Sequence, residues 1–596
     1  MAQSRLSQLS LHVRPHVNAQ PNGSIPKPST PTTETPYKAL SEQPLGSTHP
    51  IRIVTIGAGA SGLNMARLLR LHVPKLEQVV YEKNPQVGGT WFENRYPGCK
   101  CDIPSHNYQF SWRPNPEWSS FFSPAEEIQR YLLQVYEEEG LQDVVKLGHQ
   151  VVSAKWDEDG GIWSLRIKDI EHGREFDDTC NFLLDASGIL NHWTWPAIPG
   201  LHDFDGHIIH SANWPKNFNF AGKTVAVIGN GSSGVQIVPA LQPDVQRLVH
   251  FVRDPTWMAP PRLQVLAAGA AGNMLSEVEL DENECFTPAQ IARFKADPQF
   301  YRRFVKSVEQ EVNGNYPLMI KDSAAAAAAT AAIRSYMEDR LEGDERLCKA
   351  LIPNFPLGCR RLTPDVGYLA SLRAANVRVV TDSIVRVVPQ GIETNKGEII
   401  ELDAIVCATG FNVSFCPRFP IIGREGNLQD VWTRNLPKAY MSCAVPDFPN
   451  FFTFLGPNAP IGHGSVFTIT EHIAKYITRI ILKCQRECIK SIAPTQDAVD
   501  DLSKHTQAFM PRTAWAGSCR SWFKNNEENG PVTALHPGSR IHFFHMLQNF
   551  RGEDWEYTYV DDARRNRFYY LGNGTSEMEF DGSDSTWYLD DPDKLD

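Results

Sequence analysis

Residues 51–62 read I-R-I-V-T-I-G-A-G-A-S-G, a short β-branched run that enters a glycine turn and then a helical pattern carried by Leu63, Ala66 and Leu69. Strand, tight turn and helix in that order form a dinucleotide-binding unit. Gly57 permits the turn, Gly59 lets backbone approach a pyrophosphate, and Gly62 lets helix and strand pack closely. The arrangement recurs at residues 224–234, T-V-A-V-I-G-N-G-S-S-G, with Gly229, Gly231 and Gly234 in the glycine places and Ser232 and Ser233 opening the helix. One such triplet is a weak signal, but two in the same strand and helix context predict an α/β chain with two Rossmann-like nucleotide domains.

The two units differ where the second strand ends, which is where nucleotide choice is made. After the first, Val79-Val80-Tyr81-Glu82 closes on a carboxylate, suited to the unphosphorylated ribose of FAD or NAD. After the second, His250-Phe251-Val252-Arg253 closes on a guanidinium, suited to the 2′-phosphate of NADPH. A flavin and a nicotinamide nucleotide in one chain predict a flavoprotein oxidoreductase that uses FAD and NADPH.

Composition sets the outer bounds. The 596 residues are 42% hydrophobic, enough for more than one core, and a net charge of −11 argues against coating nucleic acid or an anionic membrane. Twelve cysteines without C-x-x-C pairs are too dilute for a disulfide scaffold or a zinc ribbon, so they are expected to be reduced, mostly buried thiols with no metal bound. Neither a signal peptide nor an apolar stretch long enough to span a bilayer is visible, and a soluble, cytoplasmic protein is expected.

Three further stretches narrow the chemistry. From Phe204 the chain reads F-D-G-H-I-I-H-S-A-N-W-P, which sets Phe204, Gly206, His210, Trp214 and Pro215 in the pattern F-x-G-x-x-x-H-x-x-x-W-P. Residues 88–102 read G-G-T-W-F-E-N-R-Y-P-G-C-K-C-D, and residues 358–369 read G-C-R-R-L-T-P-D-V-G-Y-L. In these motifs and their order, from residue 51 to about 550, the sequence resembles the type I Baeyer-Villiger monooxygenases, most nearly the fungal branch that modifies polyketides and other secondary metabolites. Lys216 stands where many members of that family carry Asp.

That resemblance implies a set of roles. Arg361 and Asp102 would be the catalytic pair beside the flavin. Gly89, Thr90, Trp91 and Tyr108 would lie on the flavin side, and Arg360 would help Arg253 hold the NADPH phosphate. Trp522, in Cys519-Arg520-Ser521-Trp522-Phe523, would contact the nicotinamide cofactor and border the substrate pocket. The fingerprint residues would act as a hinge between nucleotide domains. His463, in the glycine-rich turn 456–465, is expected to be structural. The implied reaction takes one oxygen atom from O2 and inserts it next to a ketone carbonyl to give an ester or lactone. A flavin-dependent N- or S-hydroxylating enzyme and a non-catalytic flavoprotein remain as alternatives.

The expected organisation is a Pro-rich disordered tail over 1–50, a first part of the FAD domain over 51–200, and a linker carrying the fingerprint over 201–222. An NADPH domain over 223–395 follows, with a helical insertion at 260–355. The second part of the FAD domain takes 396–545, and a C-terminal extension takes 546–596.

Overall fold

The strand Ile51–Ile56, buried at five of its six positions, is the centre of a parallel sheet. Leu76–Glu82 and Phe182–Asp185 flank it, and Val145–Leu147 and Phe451–Thr453 close the edges. A near-continuous apolar strand suits this place, because helices or other sheets cover both faces. On one face helix Ala60–His72 packs against the 21-residue helix Val466–Arg486. On the other lies an antiparallel layer that includes His149–Asp157, Ile162–Asp169 and Arg174–Cys180, whose Trp163, Leu165 and Ile167 share a core with Val54, Ile56 and Leu183. This is a computed structural model; it describes residues 40–260, 277–281, 283–560 and 566–590.

The second sheet repeats the plan. Thr224–Ile228 is central, Arg247–Phe251 and Ala404–Cys407 flank it, Val377–Val380 and His207–His210 form the edges, and all pairs are parallel. The expected boundaries shift accordingly. The stretch 201–222 contributes an edge strand to this sheet, and the sheet extends to Cys407, past the division expected at 395. Ala404–Cys407 was expected in the FAD domain because it lies beyond the chain's helical insertion; it pairs instead with the strand before the second glycine turn.

Within the insertion, Pro288–Ala296, Pro298–Gly314, Ala324–Arg340 and Glu345–Leu351 are helices. Ser323 caps the third by accepting from the Ala326 N–H at 3.0 Å, as its place before the Ala run suggests. Phe294, Phe300 and Phe304 are buried with Phe286. The start of the expected insertion, residues 261–276 together with 282, lies outside the described residues, as does most of the expected tail, residues 1–39. The C-terminal segment is built into the fold at first: Trp555–Tyr559 pairs antiparallel with Ile489–Pro494. Among the described residues no helix is long and apolar enough to cross a membrane.

Candidate active site

Each glycine turn is shaped by what a methyl group would strike. At Gly57, with φ +97°, a Cβ would lie 2.8 Å from the Ala186 carbonyl oxygen; at Gly229, with φ +104°, it would lie 2.6 Å from that of Ala408. At Gly62 and Gly234 it would sit 1.9 and 2.0 Å from the carbonyl oxygens of Gly57 and Gly229, so only glycine lets these helices meet their strands. The middle glycines are different. A Cβ at Gly231 meets nothing within 4 Å, and at Gly59 the nearest atom is the Gly89 Cα at 3.5 Å. The fold itself does not require glycine at these two places, whereas a phosphate lying against the backbone does. The helices that follow, Ala60–His72 and Ser232–Leu241, have no side-chain N-cap, which leaves their first-turn N–H groups for an anion. Both cradles fit a dinucleotide.

The residues expected to choose the nucleotide lie beside the two turns. Glu82 is buried, with one carboxylate oxygen accepting from the Ala58 N–H and the other from the Asn84 N–H, each at 2.8 Å. Burial pushes its pKa up, and the two amide donors oppose that. Its remaining lone pairs lie beside the first turn, where a ribose diol would donate. At the second site Arg253 is largely exposed and pairs with Asp254 at 3.0 Å, while Arg360 reaches the same carboxylate at 3.1 Å. Asn230, inside the glycine turn, donates to the Asp254 carbonyl at 2.9 Å. Two guanidinium groups therefore gather at one side of the second cradle, as a 2′-phosphate requires.

Asp102 and Arg361, 259 residues apart, form a fork: Nε donates at 2.5 Å and Nη2 at 2.7 Å to the two carboxylate oxygens. Burial disfavours the guanidinium charge, but Asp102 outweighs it, and Arg361 is held protonated above its ordinary range. Nη1 has only a long 3.5 Å contact, to the Ile461 carbonyl, so its N–H groups remain available. The pair lies on the wall of a cavity of about 130 Å³ whose other surfaces are mainly apolar, including Phe121, Phe122, Leu318, Met319, Trp515 and Phe523.

The remaining expected residues fall into three places. Gly89, with φ +54°, lies against Gly59, and a Cβ there would be 3.1 Å from the Gly59 Cα; Thr90 and Trp91 open the following short helix, and the Trp91 ring meets buried Tyr108 edge-on at 5.4 Å. The fingerprint lies apart from the cavity. Gly206 is pressed between Phe204 and the Asp403 carbonyl, and Trp214 packs on Phe220 just ahead of Pro215. His210 is fully buried against Trp193; its Nδ1 accepts from the Ala212 N–H at 3.1 Å and its Nε2 lies 3.3 Å from the Thr409 hydroxyl. Burial lowers the His210 pKa to about 4, so the ring is neutral.

The cavity lining and a disulfide bear on three further expectations, of which the last needs correction. Trp522 does not line the cavity; its neighbour Phe523 does, because the short 3-10 turn Trp522–Lys524 directs successive side chains to different sides. His463, expected to be structural, lines the cavity and finds no hydrogen-bond partner for either ring nitrogen. The cysteines are not all thiols: Cys359 and Cys519 are joined by a disulfide, because the loop bearing Arg360 and Arg361 packs on the loop bearing Trp522. The other ten form no disulfide. Sequence reasoning also missed Glu311 and Asn315 in the cavity wall, which belong to no motif. Among the described residues no cluster of three or more His, Cys, Asp or Glu could hold a metal ion.

Known proteins resemble this chain over most of its length. Residues 55–125 match the NAD(P)-binding Rossmann-like domain family. The FAD-binding monooxygenase tazF of Aspergillus terreus is 39% identical over 562 residues, spanning 93% of this chain and 97% of the relative. The FAD-binding monooxygenase stcW of Emericella nidulans is 39% identical over 537 residues, spanning 89% and 86%. The crystal structure of cyclohexanone monooxygenase from Rhodococcus sp. Phi1 bound to NADP+ superposes with a TM-score of 0.72 at 27% identity, covering 86% of this chain and all of that one. With both nucleotide cradles and the Asp102–Arg361 fork in place, this chain is an enzyme that belongs to the type I Baeyer-Villiger-like family of FAD-binding monooxygenases.

Proposed function

We propose that this enzyme converts an apolar ketone to an ester or lactone, with the balance ketone + O2 + NADPH + H+ → ester + H2O + NADP+, in fungal secondary metabolism of the polyketide type. It is an FAD- and NADPH-dependent flavin monooxygenase. When bound, FAD reduced by NADPH supplies the oxygen atom taken from O2.

The observation that carries this reading is the fork. With Nε and Nη2 committed to Asp102, the Nη1 hydrogens of Arg361 are the donors that meet a substrate oxygen in the cavity. Insertion next to a carbonyl places negative charge on the carbonyl oxygen, and a fixed, permanently protonated donor stabilises that charge without giving up its proton. Asp102 orients the guanidinium and prevents it from swinging away. The apolar wall keeps water from competing for the same oxygen. Hydroxylation of nitrogen or sulfur, by contrast, needs an oxidant that carries a proton, which an anion-stabilising arginine does not favour.

The test is to incubate purified enzyme, FAD and NADPH with apolar ketones, tertiary amines and thioethers, then identify the products by mass spectrometry. Esters or lactones from the ketones support the reading. N-oxides or sulfoxides without any ester overturn it.

A further inference from the structure

Helix Pro298–Gly314 and its C-terminal neighbour present Val308, Glu311, Val312 and Asn315 to the cavity, at i, i+3, i+4 and i+7. Two carboxylates lie close together on this helix, and they are treated differently. Glu309 has partners: it pairs with the fully buried Arg540 and accepts from Asn107. Among the described residues Glu311 has no cation partner, and its Oε2 is buried without a hydrogen-bond partner. On the wall of the same cavity His463 leaves both ring nitrogens unpartnered. Buried polar atoms of native proteins are nearly always satisfied, so two orphaned groups facing one apolar cavity point to a ligand that satisfies them.

We propose that Glu311 and His463 are specificity-determining residues that recognise a hydroxyl group on the ketone substrate, distinct from the reacting carbonyl. The inference rests on the ketone-oxidising reading and deepens it by naming the substrate class: a ketone on an apolar, ring-bearing frame that carries a free hydroxyl.

The chemistry of the pair selects this group. Burial lowers the His463 pKa to about 4, and the nearby Arg540 and Arg361 charges act in the same direction, so the neutral ring offers one donor and one acceptor. Burial also raises the Glu311 pKa. A hydroxyl is the group that can both donate to a carboxyl oxygen such as that of Glu311 and accept from a ring N–H such as that of His463, so it suits either residue. A methyl ether cannot donate, and a bare carbonyl cannot satisfy the Glu311 acceptor. A substrate carboxylate would be repelled by Glu311. The apolar and aromatic remainder of the wall suits a hydrophobic frame.

The test compares three ketones of one shape: 6-acetyl-2-naphthol, its 2-methoxy ether and 2-acetonaphthone. A site built to bind a hydroxyl discriminates strongly against analogues that lack it. Wild-type enzyme is expected to oxidise the naphthol with a kcat/KM at least tenfold above either analogue. Glu311→Leu and His463→Phe are expected to reduce that ratio to within twofold of one, and Glu311→Gln, which keeps the size, to leave it between the two. Each ratio is read within one enzyme, so loss of overall activity does not disguise it, and flavin absorbance reports folding. A wild-type ratio near or below one overturns the inference while leaving ketone oxidation standing, as does a wild-type ratio retained in the variants. NADPH consumption with no ester from any of the three counts against the ketone reading itself and against this inference with it.

Discussion

Arg361→Ala removes the partner that Asp102 holds from 259 residues away. In the intact enzyme Nε and Nη2 are fixed on Asp102 at 2.5 and 2.7 Å, leaving Nη1 for the substrate oxygen. A positioned donor to a developing oxyanion in a water-poor site contributes about 2.7 to 4 kcal/mol, so its loss should slow ester formation roughly 100- to 1000-fold. Truncation also leaves Asp102 unpaired in a mainly apolar wall, which lowers stability; with its side chain 17% exposed, water relieves part of that cost. Arg361→Lys keeps a charge but reaches the carboxylate through one point instead of a fork, so it is expected to recover only part of the rate. Reduction of the flavin by NADPH precedes oxygenation, so bleaching of flavin absorbance should persist in Arg361→Ala. Asp102→Ala should weaken the same step by releasing the guanidinium, and the double variant should be little worse than Arg361→Ala because the pair acts as a unit. The assay follows flavin absorbance by stopped flow and ester by chromatography in the same reaction. Ester formation by Arg361→Ala at the wild-type rate would refute the role.

Three other outcomes follow from the geometry. Gly59→Ala is expected to fold, since its methyl group would meet the nearest atom at 3.5 Å, yet to lose FAD, whereas Gly62→Ala, 1.9 Å from the Gly57 carbonyl, should fail to fold; FAD content and circular dichroism separate the two, and full FAD occupancy in Gly59→Ala contradicts the cradle. Arg253→Ala should reduce the preference for NADPH over NADH about 10- to 100-fold, the value of a charge-assisted contact of roughly 1.5 to 3 kcal/mol, and an unchanged ratio of kcat/KM for the two cofactors would remove Arg253 from the phosphate site. With the Cys359–Cys519 bridge intact, alkylation in denaturant without reductant should modify ten thiols and with reductant twelve. Because the bridge closes a span of 160 residues, worth about 5 kcal/mol on the loop-entropy estimate, reductant should lower the melting temperature; twelve modified thiols without reductant would show the bridge to be absent.

The parts of this enzyme that were legible in its sequence are those whose chemistry is local. A turn that needs positive φ at Gly57 and close helix contact at Gly62 writes itself into six consecutive residues, so the nucleotide cradles and the central strands of both sheets could be read directly. The positions of Glu82 and Arg253 beside the turns were legible because their distance from each turn is set by one helix and one strand. Arg361 and Asp102 came from motif resemblance, since nothing in either stretch alone says that residues 259 apart will meet. What stayed hidden depends on long-range packing. Ala404–Cys407 lies beside Thr224–Ile228 through a pairing made across the intervening residues 229–403, and Cys359 finds Cys519 only because two loops share a wall. Glu311 is one acidic residue on a polar helix until the fold turns it, without a counter-charge, toward the cavity. His463 was masked by its glycine-rich turn, which has a structural use of its own.

The most direct measurement of the central claim is the fate of oxygen. Purified enzyme with FAD, NADPH and 2-acetonaphthone is run under 18O2, and the product is fragmented in the mass spectrometer to locate the label. Insertion next to the carbonyl predicts an ester with one 18O, in the bridging oxygen between the carbonyl carbon and the migrated group, with the carbonyl oxygen unlabelled. Consumption of NADPH with no label in any ester, or label found only in water and hydrogen peroxide, would contradict it.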